Sequence, residues 1–127
     1  STPQGVVQRY LEAQESGDVA TAHAYFSSSV RNAVDLDAYR HMLAAEGYPP
    51  PPSTVRRVLF DGIVERGGDP ERITVRLTLE EVYGRGIDGE VSRSAYEIPM
   101  TLEPDGWRID ELLVWLYPAP YPERPAR

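Results

Sequence analysis

Cysteine is absent from the 127-residue chain, and so is lysine. The first absence excludes disulfides, thiol catalysis and cysteine-based zinc sites. The second excludes Schiff-base chemistry on lysine and any lysine-dependent phosphate loop. All 13 cationic side chains are therefore arginines. Asn32 is the single asparagine. Such usage fits a GC-rich coding sequence or, less strongly, a heat-adapted source. No apolar run approaches the length needed to cross a bilayer, so no membrane span is expected. Positive charge is also scarce: 13 Arg stand against 20 Asp and Glu, for a net charge of −7. That balance repels phosphate backbones and anionic lipid, so neither nucleic acid nor an acidic membrane is an expected partner. Gly84-Arg-Gly is a turn and not a nucleotide fingerprint, and the sequence has no nucleophile elbow. No cofactor is expected.

What is present describes an ordinary globule. Hydrophobic residues make up 41% and charged residues 26%, as in a soluble domain. The length suits one domain with a single core, assigned to residues 1–117. The stretch Tyr117-Pro-Ala-Pro-Tyr-Pro-Glu-Arg-Pro-Ala-Arg127 carries Pro at every second or third position. Residues 118–127 are therefore read as a Pro-rich tail or linker that prefers extended polyproline geometry. The opening Ser1-Thr2-Pro3 has no Met, which points to a processed fragment. The compartment stays open on that ground: cytoplasmic, or extracytoplasmic if a signal or anchor preceded Ser1.

Periodicity divides the chain. Val6, Val7, Tyr10 and Leu11 recur at helical spacing and predict a helix over 3–16, with Pro3 in its first turn. Gly17 suits the left-handed residue that closes it, and Asp18 can cap a second helix over 19–28. Its stripe is Ala22, Tyr25 and Phe26, and the Ser27-Ser28-Ser29 run weakens its end. Asp35 caps a third helix over 36–46, with Leu36, Tyr39, Met42 and Leu43 on one face and Gly47 to close it. Pro49 to Pro52 block any continuation.

Beyond that the period becomes two. Strands are predicted over 54–65, 72–83, 90–102 and 107–116, separated by Gly-rich or Pro-Asp-Gly turns. In the second strand Ile73, Val75, Leu77 and Leu79 share one face, and Thr74, Arg76, Thr78 and Glu80 the other. In the third, Tyr96, Ile98, Met100 and Leu102 point inward, and Pro99 marks an edge or a bulge. Helices first and an antiparallel meander second predict an α+β fold, with three helices on one face of a strongly curved sheet of about four strands.

Two segments carry a resemblance. Val6-Val-Gln-Arg-Tyr-Leu11, with Ala13, Ser16-Gly-Asp18 and Tyr25-Phe26, resembles the opening of nuclear-transport-factor-2-like (NTF2-like) proteins. Asp105-Gly-Trp-Arg-Ile-Asp-Glu-Leu112 resembles the last-strand signature of small bacterial members. That superfamily includes ketosteroid isomerase and SnoaL-like polyketide cyclases. The resemblance implies a cystatin/NTF2-like cone, a pocket at its wide end and frequent homodimers. Tyr10 matches the isomerase's catalytic tyrosine. The base position falls on Val34, with Asp35 next to it, and the second acid falls near Ile98 or Pro99. Two of three catalytic groups are thus unmatched, and isomerase activity is not carried over.

The catalytic candidates are Tyr10, Asp35, Glu81 and Glu111. Glu81 continues the Ile73–Leu79 register, and Glu111 continues that of Trp107 and Ile109, so both are expected inward. An inward carboxylate needs a partner or water, and Arg93, on the strand opposite, is the suggested partner of Glu81. The competing reading is a bulge or a wet rim that turns each acid outward. Tyr10 is equally read as a half-buried core tyrosine. His23 and His41 match no ligand spacing, so no metal site is expected and both are placed at the surface or rim. Trp107, Ile109, Leu113 and Trp115 form one stripe of the fourth strand, and Leu112, Val114 and Leu116 the other. A strand apolar on both faces is covered twice, by the helices and by the tail or a second subunit. A homodimer through the sheet is the expectation.

The leading reading is a non-catalytic domain that binds an apolar small molecule or serves as an accessory unit. Tyr10, Tyr39, Leu77, Glu81, Met100 and Trp115 are the expected lining. The alternatives are an acid–base enzyme of the isomerase or cyclase type and a structural dimerisation module.

Overall fold

The computed structural model describes residues 2–46, 55–83 and 90–114, with backbone alone at 55, 56, 82, 83 and 90. Four helices precede four strands: α1 (Pro3–Ser16), α2 (Val19–Ala24), α3 (Ser28–Ala33), α4 (Leu36–Ala45), β1 (Val55–Arg66), β2 (Asp69–Tyr83), β3 (Glu90–Glu103) and β4 (Gly106–Ile109). The class is α+β, as the sequence pattern predicts, and the sheet is an open, curved antiparallel meander in the order β1-β2-β3-β4.

Each helix boundary has a local cause. Thr2 accepts from the Gly5 amide at 3.0 Å and caps α1. Gly17, at φ 83°, ends α1 in the left-handed conformation. Asp18 caps α2 through the Thr21 amide, and Asp35 caps α4 through the Ala38 amide. The expected second helix is in fact two. The serine run interrupts it because Ser27 turns to an extended conformation and accepts from Val30 N, which starts α3 afresh. The helix count of three is corrected to four for that reason. The proposed helix stop at Gly47 and strand start at Thr54 lie outside the described residues.

One face of the sheet is the core. Ile73, Val75, Leu77 and Leu79 of β2, Ile98 and Met100 of β3 and Ile109 of β4 are buried with Val6, Val7, Tyr10, Leu11, Phe26, Tyr39 and Leu43 of the helical half. Met42, placed on the core face of α4 by spacing, is exposed. Curvature enters through β1, where the register slips between Phe60 and Gly62. Gly62 sits at φ 148°, a conformation open to glycine alone, and the extra residue bends the strand.

β4 is the largest departure from expectation: it ends at Ile109, not near Leu116. Pro99 is the cause. Its carbonyl accepts from Asp110 N at 2.8 Å, so its ring nitrogen faces the same side and has no hydrogen to return. That rung carries one hydrogen bond instead of two, which weakens the ladder at the point where β4 ends. Along the rest of β3 toward Glu90 no strand pairs on that side among the described residues, so the edge reading of Pro99 holds. On its outer side, Ile109 donates to Tyr25 O and its carbonyl accepts from Ser27 N, both at 2.8 Å, in a parallel bridge with Phe26.

Candidate functional site

The end of β4 decides what lies at the centre. Because residues 110–114 are not strand, the Leu113 carbonyl has no ladder partner and must be satisfied elsewhere. It turns onto two hydroxyls. Tyr10 donates to it at 2.7 Å, and Tyr39 at 3.2 Å. The two hydroxyl oxygens are 2.8 Å apart. Gln14, one turn beyond Tyr10 on α1, donates its amide to Tyr10 Oη at 2.9 Å. Each hydroxyl has a single hydrogen, so with Tyr10 donating to Leu113, the Tyr39 hydrogen serves either Tyr10 Oη or the Leu113 carbonyl and not both at once. Tyr10, Gln14 and Tyr39 are all buried.

An aromatic cluster encloses this network. Phe26 meets Tyr10 at a ring-centroid distance of 5.6 Å and stands edge-on to Tyr39 at 5.2 Å. His23 joins it, edge-on to Phe26 at 5.9 Å and tilted on Tyr39 at 5.6 Å. Its Nε2 lies 2.8 Å from the Val34 carbonyl, which assigns the ring proton to that nitrogen. His23, expected at the surface or rim, is half-buried and fixed by ring packing. His41 is exposed, with Nδ1 at 2.8 Å from the Asp37 carbonyl one turn back. Among the described residues no three of His, Asp and Glu gather as metal ligands.

The other candidates do not converge on the tyrosines as a set. Asp35 is exposed and its carboxylate serves the α4 cap. Glu111 is exposed, because the strand that would have turned it inward has already ended. Leu77 and Met100 are fully enclosed in the core. Glu81 is 4% exposed on the core side of β2, between Arg56 and Ser92 in register. Trp115 lies outside the described residues, as does the tail at 118–127. Leu112, Leu113 and Val114 are half-buried and pack on the core. The two-faced strand that suggested a subunit contact there is therefore not formed.

The suggested Arg93–Glu81 pair is also corrected. The register sets Arg93 opposite Glu80, on the outer face. Arg57 of β1 reaches Glu80 Oε1 through Nε at 3.2 Å and a terminal nitrogen at 2.8 Å, while Arg93 Nε reaches Oε2. The Glu80 side chain is 11% exposed beneath the two arginines. Hydrogen bonds from Arg93 first and Arg57 second hold its pKa below the ordinary value. Glu80 is thus a fixed anion, unsuited to carrying a proton near neutral pH. This triad was within reach of the sequence: pairing Tyr83 with Glu90 across the turn sets Glu80 on Arg93.

A separate open groove of about 460 Å³ lies at the β3–β4 turn, lined by Glu71, Leu102, Glu103, Pro104 and Gly106. None of the described residues expected to bind a ligand lines it. Comparison with protein-family models, with curated proteins and with solved structures finds no match to this chain.

Proposed function

We propose that the chain is a small cone-type, NTF2-like domain that works by binding an apolar small molecule, or as an accessory unit, and not by chemistry of its own. One observation carries this reading. Tyr10, the residue the family resemblance would make catalytic, has its hydroxyl hydrogen committed to the Leu113 carbonyl. A donor already satisfied by a neutral backbone acceptor gains little by turning to a substrate oxygen. Asp35 is spent on a helix cap, Glu111 faces solvent, and Glu80 is locked as an anion. The wide end of the inner face, around Glu81, Ser94 and Tyr96, is the proposed binding region. Homodimerisation through the outer face of the sheet belongs to the same reading, and there Val91 and Ala95 are exposed.

The test pairs two measurements on the whole chain. Thermal melting is followed with a Δ5-3-ketosteroid, a long-chain fatty acid and an aromatic polyketide, and double-bond migration is followed with the ketosteroid. The expected result is a concentration-dependent rise in melting temperature with at least one compound and no turnover above buffer. Turnover that disappears in Tyr10→Phe would overturn the non-catalytic reading.

A further inference from the structure

Two buried donors in the sheet, Arg66 Nε and Arg108 Nε, have no acceptor among the described residues. A guanidinium N–H shielded from solvent is costly to leave unpaired. Both belong to one end of the outer face. Arg72 of β2, Thr101 of β3 and Arg108 of β4 stand opposite one another in a single cross-strand row. Arg66, at the end of β1, joins them. Its terminal nitrogen and that of Arg72 each lie 3.8 Å from Asp110 Oδ2.

The nearby acids do not use up these donors. Asp110 Oδ1 accepts from Ser27 Oγ at 2.8 Å, while Oδ2 stands beyond hydrogen-bond distance of both arginines. Arg66 donates to the Met100 carbonyl at 3.2 Å. Arg108 donates to Asp105 Oδ2 at 2.8 Å and to the Trp107 carbonyl at 3.0 Å. Asp69, opposite Arg66 in register, accepts from the Glu71 amide. Glu103, further along β3, is taken by Ser28 and Arg31. The Arg72 side chain is 57% exposed, and among the described residues its one ion pair is the long contact to Asp110. Three guanidiniums thus share two carboxylates, Asp105 and Asp110. The surplus is positive in a chain whose net charge is −7.

We propose that this row is a binding site for a single phosphate group, with Arg66, Arg72 and Arg108 as charged donors and the Thr101 hydroxyl between them. Arginine suits the task because its planar fork of N–H groups grips two oxygens of one anion at once. Neighbouring strands lie about 4.8 Å apart, so the Arg72 and Arg108 backbones stand about 10 Å apart across Thr101. That span admits one phosphate between two guanidinium heads. The anionic remainder of the chain repels an extended phosphate backbone, so the site takes one group and not a polymer. The row lies on the opposite face of the sheet from the apolar binding region, at the end away from Val91 and Ala95. It therefore stands or falls independently of the ligand-binding reading.

Calorimetric titration of the whole chain with inorganic phosphate and with phenyl phosphate, at fixed ionic strength in sodium chloride, tests it. The expected result is saturable binding of one group per chain. Arg72→Gln removes an exposed side chain with one long ion pair, so it should weaken binding about tenfold at an unchanged melting temperature. Asp110→Asn is the sharper variant. It keeps an acceptor for Ser27 Oγ and removes the negative charge beside the row, so it should tighten binding severalfold. A purely structural ion cluster gains no affinity from that change. Tighter binding of phenyl phosphate would assign the site to a phosphorylated molecule, and tighter binding of inorganic phosphate to the free ion. No saturable binding of either, binding untouched by Arg72→Gln, or binding weakened by Asp110→Asn would overturn the proposal. Equal saturation by nitrate would overturn it as well, because charge alone would then explain the effect.

Discussion

Replacing Tyr10 with Phe keeps the ring and removes one oxygen from the centre of the molecule. Among the described residues that oxygen takes part in hydrogen bonds with Leu113 O, Tyr39 Oη and Gln14 Nε2. Tyr39 Oη lies within reach of Tyr10 Oη and Leu113 O, and its one hydrogen serves a single one of them at a time. At about 0.5–1.5 kcal/mol net for each buried bond, Tyr10→Phe should cost about 2–4 kcal/mol and Tyr39→Phe about 0.5–1.5 kcal/mol. The two hydroxyls touch, so the double variant should cost less than the sum of the singles. Urea unfolding monitored by far-ultraviolet circular dichroism reads this directly. With a slope typical of a domain this size, Tyr10→Phe should lower the midpoint by about 1–2 M. Two results would refute the reasoning: a Tyr10→Phe midpoint within error of wild type, or a Tyr39→Phe loss larger than that of Tyr10→Phe. Either would mean that the Leu113 carbonyl draws its satisfaction from elsewhere.

Two other perturbations follow from local geometry. Glu80 has a folded pKa below its ordinary value of 4.5. Its stabilisation is therefore complete above the unfolded value and fades as pH falls through the folded one. Glu80→Gln should flatten the acid limb of the stability–pH curve below pH ~5, and an acid limb identical to wild type would contradict this. Gly17 holds φ 83° with open space around it, so Gly17→Ala should cost about 1 kcal/mol from backbone strain alone. A calorimetric melt that does not fall would show the helix end adopting another conformation.

The sequence made the helical half legible to a residue in places, because capping chemistry is local. Asp18 and Asp35 cap, Gly17 turns left-handed, and α1 spans the predicted Pro3–Ser16. α3 escaped notice since three serines read as a weakened helix, although one of them starts a new one. Alternation located β1, β2 and β3 well, but β4 continued its apolar pattern past the point where the ladder weakens. What weakens it is Pro99, on the neighbouring strand, and no window over residues 107–116 contains that information. The expected site suffered the same way. Glu111 depended on a strand that ends before it, and Arg93 was given the wrong glutamate by one step of register, which moves a side chain to the opposite face. The convergence of Tyr10 and Tyr39 on Leu113 needs three segments far apart in sequence, so only folding reveals it.

Ile109 is joined to Met100 on one flank and to the Phe26 segment on the other. The meander therefore borrows its last neighbour from the linker between two helices. A chain cut anywhere between Ala33 and Val55 would leave one fragment holding half of that junction and the other fragment holding the rest. The bare flank of β4 would then join β1 as a second open border. Helical and sheet halves are accordingly tied together by a contact between residues far apart in sequence.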